Sequence, residues 1–185
     1  MSATVRFEIQ QLVSALTPLD QVEKEHIDFV LRWIESGSEL FRTQKPATPA
    51  THLVSYFVVV SPEREKILLV DHKKASLWLP PGGHVEPGEH PKETVRREVK
   101  EELGIEAEFL FDAPILLTVN QTFGNVAQHT DVSLWYVIQA DPDHRFNYDQ
   151  EEFHQIRWFD LSAIPLSRTD PHLPRFIQKM ASYTE

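Results

Sequence analysis

Hydrophobic residues recur every three or four positions in the first part of the chain, over residues 4–16 and 19–36. This spacing places them on one face of a helix and therefore predicts two amphipathic helices. Gly37 follows the second segment as a helix stop signal, and the segment 43–53 is rich in proline and threonine. The change in composition marks a predicted boundary near residue 50.

After this boundary, β-branched and aromatic residues recur in alternation, a pattern typical of β-strands. The predicted strands cover residues 53–60, 66–72, 76–80, 107–121, 131–140 and 153–160. Short polar turns join the first three, which favours an antiparallel meander. Two further helices are predicted, at about 91–103 and over Leu173–Tyr183, and the last should pack its apolar face on the sheet. This order predicts an α+β sandwich, with residues 1–50 as a helical extension and linker and residues 51–185 as the main domain.

Composition narrows the class of protein. The 185 residues fit one main domain with an appendage, and the absence of cysteine excludes disulfides, thiolate metal sites and cysteine nucleophiles. The net charge of -10, without a basic stretch, argues against binding to duplex nucleic acid, whereas a small phosphate ligand carried by a metal is compatible. Because no apolar run reaches about 18 residues, we expect a soluble, cytoplasmic chain with no membrane partner.

Six glutamates crowd the segment GHVEPGEHPKETVRREVKEELGI, residues 83–105, of a chain that is already acidic. On the predicted helix Glu98, Glu101 and Glu102 project from nearly one face, and their mutual repulsion indicates a missing positive charge. Hard cations such as Mg²⁺ prefer oxygen ligands, so this face is a candidate metal platform that backbone carbonyls near Gly82 could complete. The alternative is an exposed helix that pairs of glutamate with lysine or arginine simply keep solvated.

Arg97 is the predicted organiser of this segment. It should point away from Glu98 but reach Glu93 and Glu101, each four residues away, and a loop carboxylate such as Glu89 can also pair with it. These contacts would fasten the loop that precedes the helix to the helix itself.

The segment resembles the Nudix box, a pattern of glycine, five residues, glutamate, seven residues, and then Arg-Glu-hydrophobic-any-Glu-Glu-any-Gly-hydrophobic. Every position of the pattern is met, by Gly83, Glu89, Arg97, Glu98, Val99, Glu101, Glu102, Gly104 and Ile105. Chance agreement at its fixed identities is on the order of one in 10⁸ per start position. The likeness extends over about Val54 to Asp160 and leaves residues 1–50 outside. It implies an α/β/α sandwich around a mixed sheet, dependence on Mg²⁺ (or Mn²⁺), and hydrolysis of a nucleoside diphosphate linked to another group.

The resemblance also implies roles for particular residues of the metal platform. The counterparts of Glu98 and Glu102 are the principal metal ligands of the family. The counterpart of Glu101 often assists, and a glycine carbonyl near Gly82 contributes. A box glutamate, Glu98 or Glu101, is also a candidate for the general base that removes a proton from the attacking water.

Other roles follow from the same resemblance. The counterparts of Arg97 and Glu89 hold the box together. The general base of the family can also be a carboxylate from a later loop, and the candidates here are Glu151 and Glu152 in NYDQEEFHQIRWF. A solvated loop before a strand is an equally good interpretation of those two residues.

Contacts to the substrate are predicted mainly around the box. His84 lies in the box loop and is a credible substrate contact. Trp78, Phe123 and Trp135 could stack on a nucleobase, although aromatic residues of this kind more often belong to the core. His129 and Asp131 open a strand that faces the same end of the sheet in many family members, and an ordinary polar surface explains them as well.

A nucleoside triphosphate, including an oxidised one, is the preferred substrate class, with ADP-ribose or a nucleotide sugar as the alternative. ADP-ribose hydrolases of the family often carry a proline downstream of the box, where Asn120 and Gln121 stand in this chain. A non-catalytic Nudix ligand sensor is the alternative of another class, and the complete set of box carboxylates argues against it. The N-terminal helices could form a homodimer contact or cover the pocket.

Overall fold

Four helices and seven strands make up the fold of a computed structural model that describes residues 3–45, 47–122 and 128–183. The helices are α1 (Ala3–Ala15), α2 (Gln21–Glu35), α3 (Pro91–Leu103) and α4 (Leu173–Ser182). The strands are β1 (Thr51–Val60), β2 (Lys66–His72), β3 (Leu77–Leu79), β4 (Gly82–His84), β5 (Leu116–Thr122), β6 (His129–Gln139) and β7 (Phe153–Asp160). Within these described ranges, no helix is long and apolar enough to cross a membrane.

The strands form one mixed sheet with the order β3-β2-β1-β6-β5, in which β4 also pairs with β1 and β7 with β2. Strands β1 and β6 run parallel at its centre, with Thr51 opposite Thr130 and Val60 opposite Gln139. The neighbouring pairs, including β1 with β2 and β2 with β3, are antiparallel. The predicted meander and the predicted α+β fold class are therefore confirmed.

Alternation along β1 sends side chains into two separate hydrophobic layers. Leu53, Phe57 and Val59 pack in one cluster, which also contains the apolar faces of α1, α2 and α3. Val58 and Val60 pack in the other, which contains the apolar face of α4. The structure is thus an α/β/α sandwich, and the last helix packs on the sheet as the sequence predicts.

The N-terminal helices belong to the same core as the sheet. Glu23 of α2 is fully buried, and its Oε1 accepts hydrogen bonds from the Leu117 amide of edge strand β5 at 3.3 Å and from Lys179 Nζ of α4 at 2.6 Å. A buried charge is tolerated only when it is paired in this way. Helix α2 therefore covers one edge of the sheet and fastens it to α4.

One predicted strand is wrong in its extent, and one strand was not predicted. The expected strand 107–121 is a strand only from Leu116, because Pro114 lacks an amide hydrogen and interrupts the ladder. Phe109 forms just an isolated bridge with Ile138. The unpredicted strand is β4, whose two glycines carry no strand signal.

The shared core gives a test of whether the N-terminal helices fold together with the sheet. Ile34 of α2 is 2% exposed, so Ile34→Ala should lower the free energy of unfolding by about 2–5 kcal/mol. Val22→Ala, on the exposed side of the same helix, should change it by no more than about 0.5 kcal/mol. Urea unfolding followed by tryptophan fluorescence should show a single transition for both variants. A separate early transition confined to the helices would contradict a common core.

Candidate active site

Arg97 of α3 fixes the loop that precedes the helix. Its Nε and Nη2 each donate to one oxygen of Glu89 at 3.1 Å, and Nη2 also donates to the His84 carbonyl at 3.3 Å. Thr94 Oγ1 donates to the same carboxylate at 2.7 Å. Burial by itself would raise the pKa of Glu89, but the hydrogen bonds from Arg97 and Thr94 hold it below its usual value.

The same guanidinium also reaches the acidic face of α3. Arg97 Nη1 donates to Glu98 Oε1 at 2.6 Å and approaches Glu101 Oε2 at 3.5 Å. The prediction that Arg97 points away from Glu98 is therefore wrong, because the contacts to the loop draw its long side chain back over the start of the helix. Glu93 does not take part, since it pairs with Arg96 at 3.3 Å.

The glycine turn before α3 brings backbone against the Glu98 carboxylate. A Cβ on Gly83 would overlap the Glu98 side chain, and a Cβ on Gly82 would overlap the Ser55 carbonyl of β1. Only glycine permits both approaches, which explains why these two residues stand at this point of the chain. The turn thereby forms one wall of the acidic site.

Three carboxylates converge beside this turn. Glu102 is 5% exposed, and its Oε2 has no hydrogen-bond partner in the described part of the chain. Burial, with the nearby charges of Glu98 and Glu152, raises the pKa of Glu102 well above its usual value, although a hydrogen bond from the Gly82 amide opposes this. Burial likewise raises the pKa of Glu98 against the opposing effect of Arg97.

This set of donors fits a hard divalent cation. A buried carboxylate oxygen without a partner carries a desolvation cost that a bound cation would remove. The neighbouring donors are oxygens, which Mg²⁺ and Mn²⁺ prefer over nitrogen or sulfur. Glu98 and Glu102, with the more exposed Glu101 beside them, are therefore the candidate metal ligands on this face.

The loop before β7 supplies a carboxylate from the other side. His72 Nδ1 accepts the amide of Lys74 at 3.2 Å, so in neutral His72 Nε2 carries the proton and donates to Glu152 at 3.2 Å. This hydrogen bond lowers the pKa of Glu152, which favours its ionised form. Glu151 is exposed instead. The structure thus distinguishes Glu152 from Glu151, which are equivalent candidates for the general base in the sequence.

A cluster of histidines lies next to the box loop. The ring of His84 lies 4.8 Å from that of His52, which in turn stacks on His129 at 5.3 Å. Burial and the cation of Arg42 lower the pKa of His84 to about 3. No pattern in the sequence indicates His52 and Arg42 as members of the cluster, because they join it only when β1, β4 and β6 assemble.

The aromatic candidates for base stacking are not brought into this site. Trp78 is 7% exposed and packs edge-on against Phe159, with ring centroids 5.0 Å apart. The structure therefore places Trp78 in the core, together with the fully buried Trp135, in accordance with the alternative interpretation. Phe123 lies outside the described residues.

A polar cluster on the α4 side of the sheet was also missed. Burial raises the pKa of Asp170 to about 6, although a hydrogen bond from the His172 amide opposes the shift. The His172 ring makes a further hydrogen bond to Asn120 of β5, 2.8 Å from Nε2 to Oδ1. Asp170 precedes a proline, and in the sequence this pair indicates only a turn.

The fold is a mixed sheet between helices, and in the site a glycine turn and an acidic helix bring carboxylates together. These features define a class of protein. The NUDIX domain family matches residues 51–180. The chain therefore belongs to the Nudix family. This result confirms the predicted family.

Similar proteins agree with this membership. Nucleoside diphosphate-linked moiety X motif 6 of Mus musculus is 32% identical over 155 residues, which cover 82% of this chain and 46% of that protein. A Bacillus subtilis (strain 168) protein described as "Putative 8-oxo-dGTP diphosphatase" is 49% identical over 51 residues, which cover 28% of this chain and 34% of that protein. The dihydroneopterin triphosphate pyrophosphohydrolase of E. coli shares the fold with a TM-score of 0.57 and 16% identity, over 70% of this chain and 96% of that one. The matched regions span less than half the length of both curated relatives.

The contacts of Arg97 predict a joint loss of stability and activity. Arg97→Ala should lower the free energy of unfolding by about 2 kcal/mol, because it leaves the carboxylates of Glu89 and Glu98 without their partner. Turnover should fall as well, since the loop is released. The matched control is Arg96→Ala, whose exposed ion pair is worth no more than about 1 kcal/mol. Loss of activity in Arg97→Ala with unchanged unfolding in EDTA would contradict the organising role.

Proposed function

We propose that the protein is a Mg²⁺-dependent (or Mn²⁺-dependent) hydrolase of nucleoside triphosphates, oxidised nucleotides included. The observation that carries the proposal is the buried, unpartnered Glu102 oxygen between the charges of Glu98 and Glu152. Membership of the Nudix family and the likeness to the Bacillus protein named for 8-oxo-dGTP support the substrate class. The predicted cytoplasmic location and the homodimer stay predictions.

Glu98 and Glu102 would hold the metal, with Glu101 and the Gly82 carbonyl beside them. A divalent ion held by these residues would supply positive charge for the oxygens of the diphosphate and would lower the pKa of a water molecule. Arg97 keeps Glu98 in place through the 2.6 Å contact. Glu89 anchors the guanidinium from the opposite side, so the ligand face is already shaped before any substrate binds.

Glu152 is the proposed general base. The proton donated by His72 keeps this carboxylate ionised, so it can accept the proton of a water molecule that attacks phosphorus. The water oxygen forms the new bond to phosphorus, the bridging P–O bond between the α- and β-phosphates breaks, and the leaving group, nucleoside monophosphate or pyrophosphate, takes the electron pair. The products are a nucleoside monophosphate and pyrophosphate.

Substrate recognition is proposed for groups on either side of this centre. His84 and the half-buried Arg42 lie beside the box loop, where they could contact phosphate oxygens. The pKa of Asp170 is about 6. Asp170 and Asn120 could therefore both donate and accept hydrogen bonds at the edge of a nucleobase. A carboxyl group that is partly protonated can donate as well as accept, which suits the amide edge of a purine.

The first test is a panel of substrates with Mg²⁺, with Mn²⁺ and with EDTA. We expect EDTA-sensitive release of pyrophosphate from one or more canonical or oxidised nucleoside triphosphates. Glu102→Gln should fold normally and lose about 10²-fold or more in kcat, because it removes a ligand with little change in volume. Preferred cleavage of ADP-ribose or a nucleotide sugar would favour the alternative substrate class. Ligand binding without turnover on the whole panel would favour a sensor.

The general base can be tested on two adjacent glutamates. Glu152→Gln should lower kcat by about 10²–10⁴-fold with a small change in KM, the usual size of a general-base contribution. Glu151→Gln is the matched control and should stay within about twofold of the wild type, because its side chain is exposed. Equal effects of the two substitutions would remove Glu152 from the proposed role.

A further inference from the structure

Three side chains with metal-binding atoms meet outside the carboxylate face of α3. They are His52 of β1, His84 of β4 and Asp131 of β6, and one ligand atom from each lies within 4.8 Å of the others. The parallel register sets His52 opposite Asp131, and the antiparallel register sets His84 opposite Val54 on the other side of β1. Three different strands therefore hold the triad rigidly in place.

His52 is oriented like a histidine that binds a metal through its Nε2 atom. Its Nδ1 lies 2.8 Å from the Pro49 carbonyl, and a carbonyl can only accept, so Nδ1 carries a proton. In the neutral ring Nε2 is then the unprotonated nitrogen, with its lone pair directed into the triad. Metal-bound histidines are typically fixed in this way, by a hydrogen bond from the other ring nitrogen.

The lone pair of His52 Nε2 faces another hydrogen-bond acceptor, a carboxylate oxygen of Asp131. His52 Nε2 lies 3.1 Å from Asp131 Oδ1, yet neither atom has a hydrogen-bond partner of acceptable geometry among the described residues, and both are buried. Two buried lone pairs that face one another are unfavourable unless a cation lies between them. Ligand atoms around a tetrahedral zinc ion, at bond lengths of about 2.0–2.2 Å, are about 3.3–3.6 Å apart. The 3.1 Å between His52 Nε2 and Asp131 Oδ1 is close to this value, and the three ligand atoms together lie within 4.8 Å of one another.

We propose that His52, His84 and Asp131 form a second metal site, which binds a divalent transition-type ion such as Zn²⁺. Two imidazoles and one carboxylate suit zinc, whereas the oxygen donors of α3 suit Mg²⁺. The set leaves a fourth position open. His129 flanks that position, with its Nε2 3.5 Å from Asp131 Oδ1.

Arg42 is the competing cation at this site. Its Nη1 lies 3.1 Å from His84 Nε2, and arginine can only donate, so the guanidinium occupies the lone pair of His84. The side chain of Arg42 is half-buried and belongs to none of the three strands that hold the triad. Zinc binding should therefore displace Arg42, and removal of its charge should strengthen zinc binding.

The test is zinc affinity of the full, tag-free chain after treatment with EDTA, measured by competition with a chromophoric chelator. Visible absorption of bound Co²⁺ reports the ligand set without any substrate. We expect one equivalent of Zn²⁺, bound at least tenfold more weakly by Asp131→Asn and His84→Gln, and more tightly by Arg42→Gln. The matched controls are His154→Gln, an exposed histidine of β7, and Glu102→Gln in the box, and both should bind as the wild type does.

Circular dichroism establishes whether each variant is folded. A third ligand variant, His52→Gln, changes a fully buried residue; if it does not fold, Asp131→Asn and His84→Gln provide the test. Unchanged zinc affinity in these two variants would overturn the site. So would a loss of zinc binding in Glu102→Gln with full binding in Asp131→Asn, because the zinc would then lie in the box. A wild-type dissociation constant weaker than about 1 mM, where binding provides only about 4 kcal/mol, would also overturn it.

Discussion

The geometry of the candidate site depends on the contacts of the Arg97 guanidinium. One guanidinium binds the loop carboxylate of Glu89, the backbone carbonyl of His84 and the helix carboxylate of Glu98. Because the guanidinium is planar and its donors point in fixed directions, these three acceptors cannot move independently. The loop is thereby positioned before any metal or nucleotide binds, and less conformational entropy is lost when they do.

This arrangement also accounts for the unusual charge of the region. The chain has a net charge of -10, yet Glu98 and Glu102 lie where burial raises the pKa of both carboxyl groups. The charge of Glu152 raises both pKa values further, and the charge of Glu98 adds to the shift of Glu102. Such repulsion lowers the stability of the metal-free protein. Because the fold retains this repulsion, we expect a positive charge to bind between the carboxylates. A divalent cation that bridges a diphosphate would supply that charge.

Much of the fold follows from the sequence, because periodicity reports which face of an element is buried. Both strands 66–72 and 153–160 have the bounds that alternation indicates, and α3 begins at Pro91 and ends before Gly104 as the capping residues predict. The site residues of the box follow from their spacing in one continuous segment. Strand β4 and the histidine cluster do not, because they depend on which strands become neighbours in the sheet. His52 and Asp131 are far apart in the chain and adjacent only through the parallel register of β1 and β6.

The two candidate sites are joined by β4 and by one cation. Gly82 and Gly83 form a wall of the carboxylate site, whereas the ring of the next residue, His84, faces the triad. Burial lowers the pKa of Arg42, and the charges of both Asp131 and Glu98 oppose that effect, so the guanidinium interacts electrostatically with a carboxylate of each site. A metal ion at either site would weaken the attraction that holds Arg42 in place, because like charges at short range repel. The position of the Arg42 side chain would therefore depend on the charge state of both sites, although no motif in the sequence indicates such a role for it.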